Sequence, residues 1–271
     1  MKHKQNLHMH TTYVDGRDTP EELVLAALEK GFASIGFSEH TNLRYSVRPN
    51  ITAESIVPYK EEIYRLKQKY AGVIDVFCGL EYDYYSELDT TGIEYLIGSV
   101  HFLDCGDTVK DADLRLAAVL DYINENFGGD PMRFAKKYYE TLADLPAKKH
   151  FDIVGHFDLV AKNNERGRFL DTTAPEYLAL GMEAIHALKG KIPFFEVNTG
   201  AMARGFTTTP YPQMEFLREL RACGFGAVIT SDCHNKDLMD HGFAEATEWL
   251  RAAGFDTKWI LTNNGFCEVG L

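Results

Sequence analysis

Six of the ten histidines, His8, His10, His40, His101, His156 and His234, fall at or near the ends of short apolar runs, and Glu81 and Asp232 occupy the same kind of position. Asp15 follows the first pair in the loop "TTYVDG". Imidazoles and carboxylates without thiolates form a donor set suited to Zn²⁺, Mn²⁺ or Fe²⁺. If "QNLHMH" is a strand, side-chain alternation puts His8 and His10 on one face and turns Met9 towards whatever packs behind. The same alternation in "GAVITSDCH" pairs Asp232 with His234 and sends Cys233 into packing, where a thiol is inert. Each residue alone has an ordinary reading: a hydrogen-bonded loop histidine, a solvated carboxylate, a helix cap. Together they argue for one shared site, because only His3, His150, His186 and His241 lie elsewhere. Nine side chains exceed what one ion needs, and they could hold two or three if one carboxylate bridges. Clustered divalent ions activate water and neutralise the oxygens of a phosphoryl group.

Strand-like and helix-like stretches alternate along the whole chain. Strand signals cover 5–10, 34–40, 75–83, 95–103, 152–159, 193–200 and 226–234, while 259–262 is a short eighth strand or a C-terminal tether. Between them, "TPEELVLAALEKG" reads as a helix with Thr19 as N-cap, Pro20 in its first turn and Gly31 as its stop. A second helical pattern over 52–70 contains Pro58, which should perturb its first half. Further helices are expected at 111–127, 131–146, 174–189, 212–223 and 242–253. The alternation predicts an α/β fold with parallel strands inside and helices outside. An open sheet would spread the strand ends along a line. A closed barrel gathers them at one rim, where such folds place their chemistry. The expected organisation is a single domain over 1–271, with a helical insertion at about 104–150 that could cover the site.

Composition narrows the function further. The 271 residues carry a formal net charge of −12, which argues against a protein that tracks a nucleic-acid backbone. A small anionic substrate remains compatible, since a metal cluster inverts the field of its own site. The five cysteines form no CxxC pair, which fits free thiols in a reducing cytoplasm. No apolar run approaches the roughly 18 residues that would span a membrane.

The ordered pieces "HMH", "VDG", "FSEH", "GLEYD", "GSVHF", "GHFD" and "SDCH" resemble the polymerase and histidinol phosphatase (PHP) family of metal-dependent phosphoesterases. They run from residue 8 to 234. The segments "GLEYDYY", "GSVHFL", "GHFDLV" and "EVNTGAMARG" with the following "PYP" are similar to its histidinol-phosphatase branch. The resemblance implies a distorted seven-stranded (β/α)7, TIM-like barrel with its active site at the C-terminal strand ends. It implies that His8, His10, Glu81 and Asp232 hold one ion and that Glu81 bridges to a second, completed by His101 and His156. Asp15, His40 and His234 would hold a third. It further implies phosphomonoester hydrolysis, with L-histidinol phosphate as substrate. On this reading Arg204 clamps the phosphate, Lys162 is a second phosphate ligand, and Asp232, His234 or a water protonates the leaving oxygen.

The chain departs from that branch at Ala161, where its relatives usually carry a basic residue; Lys162, Arg166 or Arg168 are the available substitutes. Asp83, Tyr84 and Asp158 are candidates for recognising a cationic amino alcohol. Three other functions stand beside the leading one: a phosphoesterase for another small phosphate or nucleotide, a non-catalytic metal-binding domain, and metal-dependent C–N hydrolysis. The filled ligand positions weigh against the second of these, and the lack of a strand-end lysine for carbamylation against the third.

Overall fold

The structure is a computed structural model and describes residues 3–41, 49–106, 109–113 and 115–271. Its strands, in chain order, are β1 (Gln5–Asn6), β2 (Ser34–His40), β3 (Asp75–Asp83), β4 (Tyr95–Ser99), β5 (Phe102–Asp104), β6 (Val109–Asp111), β7 (Ile153–Val154), β8 (Phe194–Asn198), β9 (Gly226–Thr230), β10 (Thr257–Thr262) and β11 (Gly265–Gly270). Seven of them form one parallel sheet in the order β1-β2-β3-β4-β7-β8-β9. An isolated parallel bridge between Met9 and Cys233, with the His10 N–H donating to the Cys233 carbonyl at 2.9 Å, brings the first and last strands together. The barrel inferred from the strand ends is therefore present, nearly closed.

Alternation along the strands separates two cores. Leu7, Phe77, Tyr95, Ile97, Ile153, Phe194 and Val228 fill the barrel interior. Their neighbours Val76, Cys78, Phe195, Val197, Ala227 and Ile229 pack outward with the main core. Full burial of a ring such as Phe77 contributes about 1.5–3 kcal/mol. Tyr95 lies across the interior because Gly36 and Gly79 leave room: a Cβ there would stand 2.4 Å and 2.2 Å from its ring or hydroxyl. Its hydroxyl donates to the Leu7 carbonyl at 2.5 Å. Glu81 has the parity of Phe77, and Glu196 that of Phe194, so both carboxylates project into the interior beyond this apolar layer, towards the C-terminal strand ends.

The 259–262 segment is not an eighth barrel strand. It belongs to β10, which pairs antiparallel with β11. The hairpin packs Leu261, Trp259 and Phe266 against the interior cluster. It is tied to β1 by the Gln5 amide, which donates to the Leu261 carbonyl at 2.7 Å and accepts from the Leu261 N–H at 2.8 Å.

Helix signals translate well where caps define them. The helix Pro20–Glu29 has a reciprocal capping box between Thr19 and Glu22, and Gly31 follows with a left-handed φ of +71°. Pro58 does not perturb its helix. The helix starts at Ile56, placing Pro58 in the first turn, where an N–H would lack an intrahelical partner anyway. The stretch after β4 folds as the antiparallel β5–β6 hairpin and then helices Leu116–Phe127, Pro131–Ala143 and Leu145–Lys148. The runs at 5–10, 95–103, 152–159, 193–200 and 226–234 are longer than the strands they contain. At the rim the backbone leaves the ladder to form loops. Asp232 shows this most clearly: it lies beyond β9 with φ +46°, so a turn, not strand alternation, aims it at the site. Cys233 is buried as expected, and burial pushes its thiol up to about 12.

Candidate metal centre

Glu81 sits at the bottom of the rim, 1% exposed, with imidazoles around both carboxylate oxygens. Oε1 lies 2.8 Å from His156 Nε2 and 3.1 Å from His101 Nε2. Oε2 lies 2.7 Å from His40 Nδ1, 3.2 Å from His8 Nε2 and 3.6 Å from His10 Nε2. Asp232 Oδ1 completes the second side, 3.1 Å from His10 Nε2 and 3.7 Å from His8 Nε2. Asp15 Oδ2 lies 3.4 Å from His234 Nε2 and 3.7 Å from His40 Nε2. All nine residues singled out as ligands converge here. His10 is sandwiched between the rings of His40 and His234, with both centroid distances 4.3 Å. His40 spans two groups, facing Glu81 through one nitrogen and Asp15 through the other.

Local structure explains why these side chains meet. His40 and Glu81 end paired registers of β2 and β3, so they are neighbours across the ladder. His8 and His10 lie just past β1, where Asn6 Oδ1 accepts from the His8 N–H at 3.1 Å and Asn6 Nδ2 donates to Ser231 Oγ at 2.6 Å. This linkage fixes the 8–10 segment against the 231–234 turn.

Several residues that sequence reasoning passed over hold the ligands in place. Glu196, fully buried, has every acceptor position occupied: Oε2 by His8 Nδ1 at 2.9 Å and Thr230 Oγ at 2.8 Å, Oε1 by the His156 N–H at 2.6 Å and Asn198 Nδ2 at 2.8 Å. It therefore fixes the His8 ring with Nδ1 on Glu196 and Nε2 towards Glu81, where a bound cation would take the Nε2 lone pair. Its signal was available, a single acid inside the apolar run "FFEVN" with the parity of Phe194. Glu39 is also buried; it accepts from the Thr11 N–H and hydroxyl and lies 3.8 Å from His10 Nδ1. Asp83, considered above for cation recognition, instead accepts from the His101 and Tyr85 N–H groups, both at 2.9 Å, and lies 3.4 Å from His101 Nδ1.

The electrostatics are those of a cation site. Burial opposes the Glu81 charge, yet His40, His8 and His101 overcome it and hold the carboxyl well below the usual range. Burial likewise opposes ionisation of Asp232, where Arg204 and His8 win, and of Asp15, where His234 and His40 win. Burial and the adjacent His234 and His40 lower His10 to about 3, leaving it neutral and able to donate a lone pair. His8 Nε2, His10 Nδ1 and Glu81 Oε2 are buried without a hydrogen-bond partner. His8 Nε2 and Glu81 Oε2 face each other across 3.2 Å, while His10 Nδ1 lies 3.8 Å from Asp15 and Glu39, and such orphaned buried atoms cost stability unless something bridges them. A shared cation fits that requirement, and the all-nitrogen-and-oxygen donor set suits a divalent metal.

A cavity of about 400 Å³ opens on this cluster, lined by Asp15, His40, His101, His156, Asp232 and His234 together with Arg204, Lys162, Arg115, Asp113, Leu159 and Phe206. Arg204 donates to the Asp232 carbonyl at 3.0 Å and to its Oδ2 at 2.9 Å. Lys162 lines the cavity but is ion-paired with Asp113 and sits over the Phe206 ring, 4.7 Å from its centroid. Of the substitutes considered for Ala161, Arg166 donates to the Gly205 carbonyl and stacks on Phe206 outside this lining, and Arg168 is exposed. Tyr84 donates to Asp144, away from the site. Asp158 lines a separate, smaller cavity, with burial raising its carboxyl to about 7.

Residues 6–200 match the family described as PHP domain. The chain is 36% identical over 265 residues to the histidinol-phosphatase of Bacillus subtilis (strain 168), covering 89% of this chain and 96% of that one. It is 23% identical over 266 residues to the DNA polymerase/3'-5' exonuclease PolX of the same organism, spanning 98% of this chain but 40% of that protein. Among solved structures, the histidinol phosphate phosphatase of Lactococcus lactis subsp. lactis Il1403, complexed with zinc, L-histidinol and phosphate, superposes with a TM-score of 0.72 at 18% identity, covering 97% and 98% of the two chains. With its nearly closed barrel, its rim of histidines and carboxylates and these similarities, the chain belongs to the PHP domain family.

Proposed function

We propose that this protein is a metal-dependent phosphomonoesterase that hydrolyses L-histidinol phosphate to L-histidinol and phosphate, a step of histidine biosynthesis. One observation carries the reading. A fully buried carboxylate presents one oxygen to His101 and His156 and the other to His8, His10 and His40, and His40, His101 and His156 also line a cavity that carries Arg204, Lys162 and Arg115. The 36% identical relative named histidinol-phosphatase supports the choice of substrate.

In this reading His8, His10, Glu81 and Asp232 would hold one ion, Glu81 with His101 and His156 a second, and Asp15, His40 and His234 a third. Two or three Zn²⁺, Mn²⁺ or Fe²⁺ ions held there would supply Lewis acidity to the phosphoryl oxygens and lower the pKa of water. The residues themselves do the rest. Glu196 and Asp83 keep His8 and His101 in fixed orientations, so the site is organised before substrate arrives. Arg204, anchored on Asp232, gives the phosphate dianion a fixed guanidinium. Lys162 adds positive charge that Asp113 partly neutralises. Protonation of the leaving alkoxide falls to His234, which lines the cavity, or to a water; Asp232, held ionised by Arg204 and His8, can deliver a proton only after taking one up.

Release of inorganic phosphate from a panel of phosphomonoesters by the metal-loaded protein tests the proposal. L-histidinol phosphate should be the preferred ester. Strong turnover of another ester or a 5′-nucleotide, with negligible turnover of L-histidinol phosphate, would transfer the activity to the second substrate class, which the similarity to PolX motivates and the net charge of −12 disfavours.

A further inference from the structure

Away from the barrel rim, the outer helix layer brings together an imidazole, a carboxylate and a thiol. Ligand atoms of His186, Glu219 and Cys223 all lie within 4.8 Å of one another. Glu219 and Cys223 are four residues apart, so they share one face of the helix Met214–Ala222, which Cys223 caps. His186 comes from the last turn of the helix Pro175–Leu188. The two helices approach closely: a Cβ on Gly181 would stand 2.3 Å from the Phe216 ring, so glycine is required at that contact. The backbone under the three side chains is therefore firmly placed.

His186 Nε2 is 2.6 Å from Glu219 Oε1, and Cys223 Sγ is 3.5 Å from the same oxygen. With ordinary zinc–sulfur, zinc–oxygen and zinc–nitrogen lengths, the sulfur–oxygen edge of a tetrahedron is about 3.5 Å and the nitrogen–oxygen edge about 3.3 Å. The first edge already matches. The second requires His186 to swing outward by a fraction of an ångström, which a side chain 59% exposed can do. Thiolate, imidazole and carboxylate make a softer donor set than the nitrogens and oxygens at the rim, and two anionic ligands neutralise a dication.

We propose that His186, Glu219 and Cys223 form a second metal site, distinct from the catalytic centre, which takes Zn²⁺ or a similar borderline-soft divalent ion and clips the helix Pro175–Leu188 to the helix Met214–Ala222. On binding, Cys223 loses its thiol proton to solvent, His186 ligates as the neutral ring, and a fourth position stays open to water.

Cobalt substitution of the full-length protein separates this site from the catalytic one, because only a thiolate ligand gives a near-ultraviolet sulfur-to-cobalt charge-transfer band. The Co²⁺-loaded protein should show that band and bind one ion more than Cys223→Ser. Cys223→Ser and His186→Ala should each lose the extra ion, Cys223→Ser should abolish the band, and phosphate release should stay unchanged in both. Equal stoichiometry in all three proteins, or a band that survives Cys223→Ser, would overturn the proposal.

Discussion

Replacing Glu196 by glutamine tests the idea that a buried carboxylate orients the ligands from behind. The side chain keeps its size, but its acceptor pattern changes. In the native protein four donors converge on it: His8 Nδ1–H, the Thr230 hydroxyl, the His156 N–H and Asn198 Nδ2. A glutamine amide offers one oxygen and one NH₂, so one pair of donors meets another donor. The Thr230 hydroxyl can rotate to accept, whereas His8 must either lose the bond or flip to the tautomer with Nε2 protonated. The second outcome removes its lone pair from the metal side. Hydrogen bonds to a charged acceptor contribute about 1.5–3 kcal/mol each, and loss of such an orienting carboxylate typically costs about 10–100-fold in metal affinity. Competition with a calibrated chelator should show a drop of that size in Glu196→Gln, with far-ultraviolet circular dichroism unchanged. Metal affinity within twofold of the native protein would refute the orienting role.

Other consequences follow from the same geometry. Arg204→Ala should lower kcat/KM for L-histidinol phosphate by about 10²–10³-fold, the usual cost of losing a preorganised charge-stabilising donor, while metal content by elemental analysis stays close to native. Gly79→Ala places a methyl group 2.2 Å from the Tyr95 ring and should destabilise the barrel by about 1–3 kcal/mol in urea unfolding, even though it touches no ligand. Stripping the metals with a chelator should lower the thermal midpoint and restoring them should raise it, since a ligand at 100 times its Kd adds about 2.7 kcal/mol.

Much of this centre was legible in the sequence because metal ligation constrains residue type and fold constrains position. The matches at 34–40 and 75–83 put His40 and Glu81 at paired strand ends, and Thr19 and Gly31 bounded the first helix. Alternation failed where the chain leaves the ladder. β1 is only two residues long, and Asp232 reaches the site through a left-handed turn that no period-two pattern describes. Glu196 was overlooked because three of its partners, the His156 N–H and the side chains of His8 and Thr230, come from other segments and meet it only once the barrel closes. Lys162 lines the cavity one residue past the position where a basic side chain was expected, and its pairing with Asp113 depends on a loop geometry that sequence does not specify. Of the two readings of 259–262 the tether holds: the segment lies in a hairpin that Gln5 ties to β1 from 256 residues away, a contact no local pattern shows.

The central claim is that Glu81 bridges the ions on which hydrolysis depends. Stepwise return of Zn²⁺ or Mn²⁺ to metal-free protein, with bound metal and phosphate release from L-histidinol phosphate measured at each step, tests it most directly when Glu81→Ala is run alongside. The native protein should gain turnover only once at least two ions per chain are bound, and Glu81→Ala should both lose those ions and remain inactive. Native-level hydrolysis by Glu81→Ala, or by the metal-free protein, would contradict the account.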